Sequence, residues 1–221
     1  MLLPAHTVVN KIMDKAKFMK FAELSTASRK EMSENVERLR MANTIKESTI
    51  HIEKGKNVVE ISVFEIMLKT KEFSDRLVKE IDSAIPKNIV YVLRYENKAQ
   101  LVVSYKEKSQ NSSKYKVIKI YRTDWKNYEE FELVISGLNL YIVFNNILQQ
   151  IAEDKVKIED HSTIKETIEK SIDIEKLKKK IAQLDKKIAK EPQMNKIFAL
   201  KKEKTLLERE LEKIQNANYQ K

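Results

Sequence analysis

Apolar residues recur every three or four positions through both ends of this chain and crowd into short β-branched runs in its middle, so the sequence reads as helix, then sheet, then helix. Over residues 7–47, VVNKIMDKAKFMKF places apolar side chains at Val8, Ile12, Phe18 and Phe21, and SRKEMSENVERLRMANTIK places them at Met32, Val36, Leu39 and Ile45. That spacing predicts two helices broken at the serine-rich LSTAS, with Ser28 as N-cap of the second. After a turn at Gly55, the run VVEISVFEIML from Val58 to Leu68 predicts a long central strand. KEFSDRLVKEIDSAIPK returns to helical period through Phe73, Leu77, Ile81 and Ile85, and Pro86 closes it. Four more strands are predicted at Asn88 to Tyr95, Gln100 to Lys106, Lys114 to Arg122 and Phe131 to Ile135, then a helix from Leu138 that packs on the sheet.

Beyond Asp154 aromatic residues nearly vanish. Ile174, Leu177, Ile181, Leu184 and Ile188 fall three and four apart, KEPQ interrupts, and Ile197, Leu200, Leu207, Leu211 and Ile214 resume the pattern. Two such stripes around Pro192, which suits the first turn of a second helix, predict an antiparallel helical hairpin turning near Glu191 to Gln193. Its arms would be roughly 25 Å long at the helical rise per residue. The expected architecture is α+β: a domain over residues 1–153, with a mixed or antiparallel sheet and flanking helices, then a basic helical-hairpin (coiled-coil) arm over 154–221.

Charge gives the arm a meaning. Lysine and arginine outnumber acids 43 to 33, a net charge of +10, which favours a polyanionic partner. Much of the excess lies on the first stripe, where Lys176, Lys178, Lys179, Lys180, Lys186, Lys187 and Lys190 are accompanied by a single acid, Asp185. These lysines either contact nucleic-acid phosphates or pair with acids of LLERELEK on the second helix. In the middle of the chain Tyr91, Tyr95, Tyr105, Tyr115, Tyr121, Trp125 and Tyr128 are interleaved with Arg94, Lys106, Lys116, Lys119 and Arg122. Such a set either stacks bases and meets phosphates, which adds Lys116, Lys119 and Arg122 to the candidate nucleic-acid contacts, or packs half-buried.

With two glycines, Gly55 and Gly137, the chain cannot form a Walker A loop, a GxGxxG fingerprint or a GxSxG elbow. The absence of cysteine excludes disulfides, zinc-thiolate sites and cysteine nucleophiles, and fits a reducing, cytoplasmic setting. His6, His51 and His161 lie far apart, so no metal site and no cofactor are expected. No signal-like segment and no run long enough to span a membrane is present. One constellation invites comparison with metal-dependent nucleases: Glu60, Glu65 and Lys69, with Asp82 on the following helix. Glu65 and Lys69 are four apart where such nucleases place an acid and a lysine two apart, so no catalytic residue is assigned.

VVEISVFEIMLK, IDSAIPKNIVYVL, YRTDW, GLNLYIVFNNILQQIA and KKIAQLDKKIAKEPQMNKIFALKKEKTLLERELEKI together resemble a bacterial family of uncharacterised proteins, domain of unknown function number 4391. The likeness runs from about Leu3 to Ile214; Lys87 stands where the family more often has an aromatic. Proteins of that family are typically encoded beside DNA methyltransferases and helicase-type restriction subunits. The resemblance therefore implies an accessory, non-catalytic role in a restriction or phage-defence assembly, with nucleic acid and a helicase or methyltransferase subunit as partners. A divergent metal nuclease and a coiled-coil assembly protein whose arm only dimerises are the alternatives.

Overall fold

The strand expected from Val58 forms as β3 (Glu60–Leu68), near the centre of a seven-stranded mixed sheet, in a computed structural model that describes residues 3–55, 57–109, 114–153 and 163–216. The chain divides into two compact units, Met1–Asp154 and Lys155–Lys221. In the first, the strand order is β1 (Val8–Met13), β2 (Val36–Lys46), β3, β4 (Asn88–Tyr95), β5 (Lys98–Lys108) and β6 (Tyr115–Arg122), with β7 (Lys126–Asn127) also on β5. Only β3 and β4 run parallel; a short helix, α3 (Glu47–Ile50), follows β2, and the helix between β3 and β4 is α4 (Asp75–Ala84); the other pairings are antiparallel. A parallel pair needs such a crossover, because a tight turn can only reverse the chain.

Successive side chains on a strand alternate between faces. Phe64, Ile66 and Leu68 of β3, Ile89, Tyr91 and Leu93 of β4 and Val102 of β5 pack with α1 (Lys15–Phe21), α2 (Thr26–Asn35) and α4 in one core. The alternate residues, among them Ile61, Val63, Val90, Val92, Leu101 and Val103, are also buried, and α5 (Leu140–Ala152) lies against β3, β5 and β6. Both glycines press on the start of α5: a Cβ at Gly55 would overlap the backbone of Tyr141, and Gly137 adopts a φ of 149° beside Val143.

Val8–Met13 and Val36–Lys46 are strands, not helix. Bulges fall between Val8 and Lys11 where β1 pairs β2, and between Val36 and Arg38 and between Met41 and Asn43 where β2 pairs β3. Each extra residue breaks the two-residue alternation: Val36 and Leu39, three apart as on a helix, share the helix-covered face, whereas Ile45, opposite Ile61, is buried on the other face. Helix does form between those strands, but the N-cap of α2 is Ser25, whose hydroxyl accepts from the Ser28 amide. Phe131 to Ile135 is not a strand either: the Gln150 side-chain amide bonds both the N–H and the C=O of Val134, taking the place of a neighbouring strand.

The second unit is the expected hairpin. α6 (Ile164–Ile188) opens with a reciprocal capping box between Thr163 and Glu166, and α7 (Met194–Asn216) returns along it after a turn over 189–193 that contains Pro192. Leu177 and Leu184 are buried in the seam, and Lys204 of α7 bonds Asp185 of α6 at 2.6 Å. Among the described residues, no helix is long and apolar enough to cross a membrane.

Candidate nucleic-acid interface

Ile174, Leu177, Ile181, Leu184 and Ile188 turn one side of α6 toward α7, and at 100° per residue this sends Lys176, Lys179 and Lys186 to the opposite side, while Lys190 stands in the turn beyond the helix. Lys180 and Lys187 flank that stripe on one edge, and Lys178 lies toward the other. All seven are exposed. Lys176 pairs with Asp173 at 3.0 Å, one turn away on its own helix. The ammonium groups of the remaining six meet no acid among the described residues. The ion pair that does cross the seam, Lys204 to Asp185, runs from a lysine of α7 to an acid of α6. Pairing of the α6 lysines with the acids of α7 is therefore not how this surface is arranged. At the tip Lys186, Lys187, Lys190 and Lys196 surround a hollow of about 540 Å³ floored by Ala199 and Leu200, with Glu191 as its one acid. Lys196 escaped the sequence reading because it stands outside the lysine run, on the other helix.

The sheet unit does not gather its aromatic and basic residues into one platform. Tyr91 and Tyr121 are buried; Tyr95 and Trp125 pack against the helix-covered core with Lys71 above both rings; Tyr128 lies under the Arg94 guanidinium at 4.0 Å. Arg122 spends its donors on Asp75, Gln100 and the Phe73 carbonyl, latching the start of α4 to the sheet. Lys116 is exposed opposite Glu107, and Lys119 is half-buried opposite Tyr105.

Nor do the acids weighed for nuclease chemistry converge. Glu60 and Glu65 stand at positions of opposite parity on β3 and so face opposite sides. Glu60 binds Lys87 at 2.8 Å, while Lys69 reaches the Ser33 carbonyl at the end of α2. Glu65 is buried between Arg40 at 2.8 Å and Arg94 at 4.0 Å, and its hydrogen bond raises the Arg40 pKa against the opposing effect of burial. No group of three or more His, Asp or Glu among the described residues is placed to hold a metal ion; His161 lies outside the described residues. Incubation of plasmid DNA with the protein and Mg²⁺ or Mn²⁺ is expected to leave the plasmid intact. Cleavage that Glu65→Gln abolishes would reverse that expectation.

Asp82 sits apart from these acids, in a buried cluster that carries structure rather than binding. Its carboxylate accepts from Ser104 at 2.7 Å and faces the Lys106 ammonium at 3.4 Å. Lys106 also donates to the carbonyls of Asp82, Ile85 and Lys87, capping the carboxyl end of α4 and the turn into β4. Burial pushes the Asp82 carboxyl up and the Lys106 ammonium down, and in each case the partner's charge opposes it. The Tyr91 hydroxyl, held well above its usual range by burial and by the Asp82 charge, lies beside this pair without a well-formed hydrogen bond.

A family model described as Domain of unknown function (DUF4391) matches residues 1–211, through the sheet unit and along most of the hairpin. No curated protein and no solved structure matches the chain.

Proposed function

The chain belongs to the family described as Domain of unknown function (DUF4391), and we propose that it is a non-catalytic accessory subunit of a bacterial restriction or phage-defence assembly, one that holds nucleic acid against its helical arm. The observation that carries this reading is the set of exposed lysines on α6 and, at Lys190, in the turn after it, six of which form no ion pair among the described residues. Unpaired ammonium groups keep their condensing effect on a polyanion, and each phosphate they neutralise releases counterions. The wider setting is what the family resemblance implies, and a DNA methyltransferase or helicase-type restriction subunit in the cytoplasm is the proposed protein partner.

Salt-titrated filter binding tests the nucleic-acid part. Six contacting lysines give a log–log slope of up to about −5 on duplex, with little dependence on sequence. No binding at low salt would overturn the reading. It would favour instead an arm that only joins protein chains, for which Met194, Phe198 and Leu206 of α7, 62%, 63% and 57% exposed, supply an apolar surface.

A further inference from the structure

We propose that the polyanion is duplex DNA, and that α6 lies across one major groove so that Lys179 and Lys180 meet phosphates on one wall while Lys186 and Lys187 meet those on the other. This rests on the arm being the nucleic-acid contact, and it adds which nucleic acid and how it is held.

Two features of α6 carry it. The first is spacing. Lys179/Lys180 and Lys186/Lys187 are pairs seven residues apart within one uninterrupted helix, a separation of about 10.5 Å along the axis. A B-form major groove is about 12 Å wide and admits a helix, so flexible lysine side chains close the small difference. Between the pairs the outward positions are Ala182 and Gln183, both exposed and uncharged, which leaves the middle of the span free of charge where it passes over base edges. Gln183 is one amide, too little for a defined sequence preference.

The second feature is the absence of any ring. α6 contains no aromatic residue, and the aromatic of α7 within the hairpin, Phe198, projects from the side of α7 away from the seam. Single-stranded nucleic acid is held largely by stacking bases on aromatic side chains, and this stripe offers none. Duplex RNA fits poorly as well, because its A-form major groove is deep and narrow and its phosphate walls are differently spaced.

The full chain would be titrated with salt against a short duplex DNA, a duplex RNA of the same sequence and a polythymidine strand of equal length. Duplex DNA is expected to bind tightest. Lys179→Gln with Lys180→Gln, and separately Lys186→Gln with Lys187→Gln, are each expected to remove about 2 units of log–log slope on duplex DNA. Equal or tighter binding of the single strand or the RNA would overturn the duplex assignment and leave the arm as a nucleic-acid contact. A slope that falls for one pair but not the other would overturn the two-wall geometry. Failure to bind any of the three would sink both this inference and the reading it rests on.

Discussion

Lys106→Met is expected to destabilise the sheet unit by about 3–5 kcal/mol, the loss typical when one member of a buried ion pair is removed. Asp82 has no exposed surface, and 2% of the Lys106 side chain is accessible. Taking the ammonium away leaves the carboxylate with Ser104 alone and strips a donor from the carbonyls of Asp82, Ile85 and Lys87 at once. Methionine keeps most of the stem volume, so the loss measures charge and hydrogen bonding more than packing. The chain has one tryptophan, Trp125, packed against the core of this unit, and its fluorescence during urea unfolding reports the unit directly. The double variant Asp82→Asn, Lys106→Met should lose clearly less than the sum of the two single losses, because it removes the charge that the single variant strands. A single-variant loss below about 1 kcal/mol would mean that water reaches the Asp82 carboxylate after all.

That cluster could not be read from the sequence, and the reason shows where sequence reasoning stops. A lysine at the end of QLVVSYK looks like a strand residue pointing at solvent; only the parallel pairing of β3 with β4, which carries α4 over the sheet, brings the end of that helix onto β5. The elements with clean periodicity were legible: β3 from its β-branched run, α4 and α5 from their apolar faces, and the hairpin from its two stripes around Pro192. β1 and β2 were not, because bulges interrupt their alternation and one of them puts Val36 and Leu39, three residues apart, on the same face, and period is the signal on which the distinction between helix and strand depends. The lysine run on α6 was plain as composition. Whether those lysines are paired was not, since that turns on which side of α7 its acids occupy, and Glu208 is turned to Lys204 of its own helix.

Replacing Lys178, Lys179, Lys186 and Lys187 by glutamine is expected to lower the log–log salt slope of nucleic-acid binding by roughly 3 to 4 units, at about 0.9 per phosphate contact on duplex DNA. None of the four occupies the seam, where Leu177 and Leu184 are buried, and glutamine is nearly as good a helix former as lysine. The hairpin should therefore keep its helical circular dichroism, and the seam pair between Lys204 and Asp185 is untouched. Had the lysines been held by acids of α7, the same change would cost only a few tenths of a kcal/mol per exposed pair and leave the salt slope alone. The two outcomes differ by orders of magnitude in affinity at moderate salt, so one titration beside one spectrum separates them. An unchanged slope with intact helicity would show that the phosphates, if the chain meets any, are met elsewhere. Lys196 is tested separately: it stands on α7 at the tip hollow, outside the four substituted positions, and its own Lys196→Gln change should take a further unit from the slope only if the tip is part of the contact.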